Sequence, residues 1–338
     1  MANVTVVGSG AWGTALALQA ARSGHAVTMW ALEPEVVEDI EKRHENSIYL
    51  PKTKLPASIR ATSDAQAAVA SADLVVLVPP SKHLRSVSLK LAEFIPKSAV
   101  VAVASKGIEE SSLKLMSEVL DETLPDVGES RRLFLSGPSF AREVADGLPT
   151  DIVVASKSEA PTKYVQGLLH SPNFRVYTSV DPAGVEIGGA LKNVIAIATG
   201  ACDGLRFGAN ARAAIITRGL AEMARLGVAV GADPLTFLGL AGMGDLVLTC
   251  TGELSRNRTL GLKVAEGMDP QEYLKSQRSV AEGYFTAHAA HDLGKKLGVE
   301  MPITDQVYNV LHAGRPLRDA IVMLMTRESR DELRGIKA

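Results

Sequence analysis

The feature that most constrains this chain is Gly8-x-Gly10-x-x-Gly13, set directly after the β-branched run Val4 to Val7 and directly before the helical run Thr14 to Arg22, which Gly24 ends. The first glycine permits a tight turn, the second lets backbone approach a pyrophosphate, and the third lets a helix pack closely on a sheet. Amides at the start of that helix face the anion. Glu33 follows Gly13 by 20 residues, at the end of the next β-rich run, where a carboxylate accepts hydrogen bonds from a ribose diol. Strand, turn, helix and acid together predict a dinucleotide-binding βαβ unit. Sites for S-adenosylmethionine or FAD use a similar loop and acid and are the competing ligands. Trp12, inside the loop, either covers the pyrophosphate or packs between elements.

Short β-branched runs alternate with helical patterns through the first half: Val4 to Val7, Val27 to Trp30, Leu74 to Val78, Val100 to Ala104, Leu133 to Leu135, Ile152 to Ala155 and Phe174 to Tyr177. This alternation predicts an α/β fold with a Rossmann-type, doubly wound parallel sheet covered by helices. After Tyr177 strand-like runs nearly vanish, and Gly-rich or Ala-rich helical stretches take over. The reading places a dinucleotide-binding domain at 1–180 and an all-α substrate domain at 181–338, as a chain of 338 residues suggests. Asp181-Pro182 predicts a helix over about 182–201. Asp233-Pro234 and Asp269-Pro270 repeat that start signal, and Thr304 reads as the cap of a helix ended by Gly314 and Pro316. Gly239 to Asn257, rich in Gly, Thr and Ser, reads as a loop-dominated functional segment.

Composition excludes several classes. With 46% hydrophobic and 22% charged residues the chain is neither disordered nor fibrous, and a net charge of -2 predicts no broad cationic face for nucleic acid or anionic lipid. Cys202 and Cys250 stand 48 positions apart and outside any C-x-x-C, which suggests neither a disulfide framework nor a thiolate metal site. The N-terminus reads as a strand rather than a signal peptide. Lys192 and Asn193 interrupt the longest apolar run, so no membrane insertion is expected. A cytoplasmic location follows from these readings.

Two features of the second half bear chemistry. Lys192 stands among aliphatic residues of a helical run; it either snorkels to solvent or is buried against a partner with a lowered pKa, where it would exchange a proton with a carbonyl oxygen. Ser255-Arg256-Asn257-Arg258 opens a helix, where Ser255 caps and Arg256 with free amides suits a phosphate dianion; the alternative is a solvated basic turn. His288 and His291 share a helical face without a third ligand, so no metal site is expected. Glu109, Glu110 and the stretch Arg327 to Lys337 read as solvated faces.

Taken in order, Gly8-Ser-Gly-Ala-Trp-Gly-Thr-Ala-Leu, Ala104-Ser-Lys-Gly, Ser136-Gly-Pro-Ser-Phe-Ala, Gly188-Gly-Ala-Leu-Lys-Asn-Val-Ile-Ala-Ile, Phe207-Gly-Ala-Asn-Ala-Arg-Ala, Gly244-Asp-Leu-Val-Leu-Thr-Cys and Ser255-Arg-Asn-Arg resemble the motifs of bacterial-type NAD(P)-dependent glycerol-3-phosphate dehydrogenases. The resemblance spans nearly the whole chain. It implies reversible reduction of dihydroxyacetone phosphate to sn-glycerol 3-phosphate for phospholipid synthesis, with NAD or NADP as cofactor. It also implies a helical second domain like that of 6-phosphogluconate dehydrogenases, and a homodimer. Matched residue by residue, Lys192 is the proton acceptor, Lys106 a second active-site lysine that also meets the cofactor, and Asp245 their accompanying acid. Ser255, Arg256 and Asn257 match the segment binding substrate phosphate near the cofactor. Gly137, Ser139 and, by position, Thr249 match substrate contacts. Ala11, Trp12, Ala141, Val280 and Glu282 match cofactor contacts.

A 2-hydroxy or 3-hydroxy acid dehydrogenase of the 6-phosphogluconate type is the nearest alternative, against which Gly137-Pro-Ser-Phe and Ser255-Arg-Asn-Arg argue. A non-catalytic redox sensor would need the glycine loop but not Lys192, Lys106 and Asp245 together. The sequence departs from the family at Trp30-Ala31-Leu32-Glu33-Pro34, where many members carry a base suited to a 2'-phosphate. Glu33 in that place predicts that NADH serves at least as well as NADPH, with Lys42 and Arg43 the nearest following cations.

Overall fold

The computed structural model describes residues 1–278, 280–326 and 328, so the Arg327 to Lys337 stretch lies, Glu328 apart, outside the described residues. The chain forms two compact units: Met1–Ser105 with Met116–Pro182, and Lys106–Leu115 with Ala183–Ala338. The first unit is therefore interrupted by a ten-residue excursion.

Ten strands belong to the first unit: β1 (Asn3–Val7), β2 (Ala26–Trp30), β3 (Glu45–Asn46), β4 (Leu50–Lys54), β5 (Ile59–Thr62), β6 (Leu74–Leu77), β7 (Val100–Val103), β8 (Arg132–Ser136), β9 (Thr150–Ala155) and β10 (Phe174–Ser179). Eight form one sheet in the order β10-β9-β8-β7-β6-β1-β2-β5, while β3 and β4 pair as a separate antiparallel ribbon. Strand order reverses between β1 and β6, whose registers align Val4 with Leu74 and Val7 with Leu77. Such a reversal opens a ligand crevice at the carboxyl ends of the strands. All four residues of β6 are buried, Leu74 and Val76 in one apolar cluster and Val75 and Leu77 outside it. Because side chains alternate along a strand, both faces of the sheet are covered, which is why these strands read as unbroken apolar runs.

The sheet is parallel as expected except at β9, which runs antiparallel to β8 with Leu135 opposite Val154, so that β9 and its parallel partner β10 oppose the rest. Alternating apolar runs carry no information on the direction of a single strand. The sequence reading also passes over β3, β4 and β5. β5 is a four-residue edge strand that buries only Ile59 and Ala61, too little pattern to stand out.

The second unit is helical, built round Pro182–Gly204, a helix with 18 of 23 residues buried. It runs three residues past the expected end. Lys192 and Asn193 leave it long and apolar enough to cross a membrane, contrary to expectation, but 94% of its apolar window is buried inside the protein. Asp233 and Asp269 cap as their Pro-containing starts predict, accepting from Leu235 N at 2.8 Å and Glu272 N at 2.9 Å. Thr304 does not cap: the helix Pro302–His312 begins before it, and the buried Glu222 of helix Gly208–Ala229 takes that place. Its carboxylate accepts from Ile303 N at 2.6 Å and Thr304 N at 3.1 Å. Burial pushes the Glu222 pKa up to about 7 against these hydrogen bonds.

Gly239 to Asn257 is a further correction, because it is mostly helical: a wide turn at Leu240–Gly244 leads into helix Asp245–Thr251, and helix Arg256–Ala265 follows after a short break. The glycines that suggested a loop serve close packing, since a Cβ on Gly242 would stand 2.2 Å from the Phe237 carbonyl oxygen. The threonines turn their hydroxyls back onto the helix, Thr249 to Asp245 O at 2.6 Å and Thr251 to Val247 O at 2.7 Å.

Candidate active site

In the first unit the glycine loop joins β1 to helix Ala11–Arg22. Gly8 has φ +117°, and a Cβ there would stand 2.9 Å from the Val78 backbone; on Gly13 it would stand 2.0 Å from the Gly8 carbonyl oxygen. Gly10 differs, with nothing within 4 Å of an added Cβ, so its backbone is open to a ligand. Gly10 is also the N-cap and supplies no side-chain cap, and the first turn of the helix holds no acid. Its early amides therefore present an uncompensated positive helix end, as a pyrophosphate requires. Buried Asn46 of β3 braces the loop, donating to Ser9 O at 2.7 Å and Thr14 Oγ1 at 2.8 Å. Sequence reasoning missed Asn46 because it missed the two-residue strand that carries it.

Glu33 stands at the end of the turn after β2, accepting from Tyr49 OH at 3.0 Å and from Ser9 Oγ at 3.5 Å. This places its carboxylate beside the glycine loop. Lys42 and Arg43 are paired within their own turn, to Glu38 at 2.8 Å and Asp39 at 2.6 Å. Ala11 and Trp12 pack against the edge of the apolar core, and the buried Trp12 Nε1 has no hydrogen-bond partner among the described residues. Open backbone at Gly10, the bare helix end, the Glu33 carboxylate and an unsatisfied indole donor together fit a dinucleotide. Ala141 opens a short helix, Ala141–Ala145, that Arg22 ties to the loop helix through Val144 O at 3.0 Å. Gly137 follows β8 with φ +121°, and Ser139 Oγ donates to its carbonyl at 2.9 Å.

In the second unit three distant segments meet. Lys192 donates to Asp245 Oδ1 at 2.7 Å and to Thr249 Oγ1 at 2.9 Å, while Lys106 donates to Asp245 Oδ2 at 2.6 Å. Lys192 is 8% exposed and Asp245 1%. Of the two fates open to Lys192, burial against a partner is the one realised. Burial pulls its pKa down to about 8, the Lys106 charge adds to that fall, and Asp245 opposes it. Burial also works to raise the Asp245 pKa, but the two ammonium groups and their hydrogen bonds outweigh it and hold the carboxyl below its usual range. Two cations on one carboxylate leave a net positive charge in a buried setting.

Ser255 caps helix Arg256–Ala265 by accepting from Arg258 N at 3.2 Å. The two arginines of the motif then part ways. Arg258 is locked to Asp203 by Nε at 2.9 Å and Nη2 at 2.7 Å, and Arg212 shares that carboxylate at 3.0 Å. Arg256 is solvent-exposed; the protein packed around it pulls its pKa below the usual arginine value, with Glu282 opposing. The Asn257 side chain joins three helices, its amide nitrogen donating to Asn193 at 2.8 Å and its amide oxygen accepting from Gly283 N at 2.9 Å, which fixes the position of its backbone in the first turn. Val280 and Glu282 lie just before and at the start of helix Glu282–Leu297.

Glu109 and Glu110 correct the expectation of a solvated face. Glu109 is buried and accepts from Ser112 Oγ at 2.5 Å, and Glu110 meets His288 at 2.7 Å. His291 meets Asp305 at 2.7 Å. Among the described residues no group of three or more His, Cys, Asp or Glu side chains is arranged to hold a metal ion.

Comparison with known proteins shows the family. The family model for the NAD-dependent glycerol-3-phosphate dehydrogenase N-terminus matches residues 3–161, and that for the C-terminus matches residues 181–322. The glycerol-3-phosphate dehydrogenase (NAD(P)+) of Geobacter metallireducens is 52% identical over 329 residues, covering 97% of this chain and 98% of that protein. Its namesake from Myxococcus xanthus is 48% identical over 332 residues, covering 98% and 99%. The crystal structure of glycerol-3-phosphate dehydrogenase from Coxiella burnetii superimposes with a TM-score of 0.92 at 38% identity, covering 96% of this chain and 99% of that one. The chain therefore belongs to the NAD-dependent glycerol-3-phosphate dehydrogenase family of oxidoreductases.

Proposed function

We propose that this chain reversibly reduces dihydroxyacetone phosphate to sn-glycerol 3-phosphate, with Lys192 as general acid and base. The convergence of Lys192 and Lys106 on the buried Asp245 carries the reading. Bound NAD(H) or NADP(H) supplies or accepts the hydride. The glycine loop and the amides of Ala11 and Trp12 hold the pyrophosphate, and Glu33 takes the adenosine ribose; Ala141, Val280 and Glu282 complete the cofactor contacts.

Reduction of a ketone leaves negative charge on its oxygen, and a net positive cluster in a water-poor setting stabilises that charge. Lys192, with a pKa of about 8, holds its proton at neutral pH and gives it up readily to the C2 oxygen. In the reverse direction neutral Lys192 takes the proton from the C2 hydroxyl. Lys106 adds the second positive charge, and Asp245 keeps both ammonium groups in place. Arg256 and the free first-turn amides of Arg256 and Asn257 grip the phosphate, with Ser255 fixing the helix start. Gly137, Ser139 and Thr249 border the substrate.

The product is a precursor of glycerophospholipids, and the protein acts as a cytoplasmic homodimer; sedimentation at micromolar concentration checks the dimer. The deciding experiment follows nicotinamide absorbance with dihydroxyacetone phosphate and with unphosphorylated dihydroxyacetone. Turnover of the phosphorylated ketone alone is expected, and Lys192→Met should cut kcat by about 10² to 10⁴ with cofactor affinity retained. Absence of turnover with dihydroxyacetone phosphate, or near-normal kcat in Lys192→Met, overturns the reading.

A further inference from the structure

We propose that Glu110 and His288 form a positioning pair that holds the Lys106–Leu115 excursion on helix Glu282–Leu297 and thereby sets the Lys106 ammonium against Asp245. The inference rests on the reading of Lys106 as a participant in the reaction. Lys106 reaches the buried carboxylate from a ten-residue segment that leaves and re-enters the first unit, so its placement depends on what fixes that segment.

The segment is stiff within itself. Glu109 N donates to Lys114 O at 2.9 Å, Leu113 N donates to Glu109 O at 2.8 Å, and Leu113 takes φ +61° to close the turn. Ile108 and Leu115 anchor it in the apolar core of the second unit. Apolar burial is non-directional and sets no register to a fraction of an ångström. A hydrogen bond does, and the Glu110 Oε1 to His288 Nδ1 contact at 2.7 Å ties the segment to the helix with a defined direction.

A partly exposed pair is ordinarily worth little, because two mobile side chains must be ordered to make it. Here the imidazole is ordered already. It stacks on Tyr308 at 5.5 Å and 21°, leans on His312 at 5.4 Å, and has Asp292 3.4 Å from its other nitrogen. Glu110 therefore meets a braced partner, and it stands four residues from the lysine it steadies.

The test is a double-mutant cycle on the full-length enzyme. Glu110→Ala and His288→Ala should each lower kcat about tenfold, well short of the hundredfold that a 1 Å misplacement costs. KM for the cofactor and the unfolding temperature should stay near wild type, and Glu110→Asp should restore most of the rate. Amides of residues 107–115 should exchange faster in Glu110→Ala. In a Lys106→Met background neither substitution should lower kcat further. Unchanged kcat in Glu110→Ala, or a full loss that persists beside Lys106→Met, overturns the positioning pair while leaving Lys106 its role. Normal turnover in Lys106→Met removes the role of Lys106 and the pair with it. Should His288→Ala fail to fold, the half-buried variant Glu110→Ala carries the cycle.

Discussion

The glycine loop of the first unit and the lysine cluster of the second both offer positive charge to a ligand, one from backbone and the other from side chains. The loop draws its charge from peptide amides along a few consecutive residues, and its geometry follows from where a Cβ is absent. The cluster draws its charge from Lys106, Lys192 and Asp245, on three segments, and must offset the cost of taking each from water. A backbone site is broken by adding an atom. A side-chain site is broken by removing a charge.

The largest expected effect of that difference falls on Asp245. Asp245→Ala leaves two buried or half-buried ammonium groups without their shared carboxylate, and breaking such a pairing costs about 3 to 5 kcal/mol. Urea unfolding should show a lowered midpoint, and turnover should fall with it. A loss of stability below about 1 kcal/mol would mean that the lysines find water or another partner, and the contrast with the backbone site would weaken.

Arg256 and the loop glycines come next. Arg256→Ala removes a charge-assisted contact worth roughly 1.5 to 3 kcal/mol, so KM for dihydroxyacetone phosphate should rise at least tenfold, with little change in stability. If the preference for the phosphorylated ketone survives undiminished, the dianion is held elsewhere. Gly13→Ala drives a Cβ to 2.0 Å from a carbonyl oxygen and should cost about 1 to 3 kcal/mol in folding. Gly10→Ala meets no protein atom within 4 Å, so its unfolding temperature should not move while NADH affinity, read by fluorescence titration, falls severalfold. Equal effects of the two substitutions on folding would contradict the distinction between a packing glycine and a ligand-facing one.

The two regions also differ in how far they can be read from sequence. The glycine loop is local: strand, turn and helix lie within about twenty residues, and the expected elements form there. Its supports are not local, since Asn46 and Tyr49 come from a ribbon too short to show a pattern. Of the cluster, Lys192 stands out by its apolar surroundings, whereas Lys106 and Asp245 were legible only as residues matched to a family, because nothing in the spacing of 106, 192 and 245 says that they converge. Arg256 and Arg258 look alike in sequence and separate only when Asp203 claims one of them. Likewise Glu110 looks like a surface acid until His288 is brought to it.

The cluster, unlike the loop, contains a group, Lys192, whose pKa lies near physiological pH. Lys192 has a folded pKa of about 8 against the ordinary 10.5, so between those values the unfolded chain binds more protons and stability rises with pH. For the reaction the sign depends on direction. Ketone reduction needs protonated Lys192 and should fall about tenfold per unit above pH 8, whereas alcohol oxidation needs neutral lysine and should rise through the same window. Asp245→Asn removes the charge that supports the ammonium form and should move both limbs to lower pH. Limbs that stay in place would show that another group sets the profile.

The smallest expected effect concerns the choice between two forms of the cofactor, and it tests whether a side chain edits what the backbone loop binds. NAD and NADP differ only at the 2'-position of the adenosine ribose, so the amides that grip the pyrophosphate cannot tell them apart. Glu33 can, because its carboxylate lies beside the loop, oriented by Tyr49 at 3.0 Å and Ser9 at 3.5 Å, where it accepts from ribose hydroxyls and repels a phosphate dianion. The cations that would favour the phosphate, Lys42 and Arg43, are committed to Glu38 and Asp39. NADH should therefore be used at least as well as NADPH when kcat/KM is measured for both. Glu33→Ala should narrow or reverse the difference by improving NADPH rather than by harming turnover. A tenfold or greater advantage for NADPH in the unmodified enzyme, about 1.4 kcal/mol in transition-state binding, would refute Glu33 as the excluder and leave the choice to a residue outside the loop.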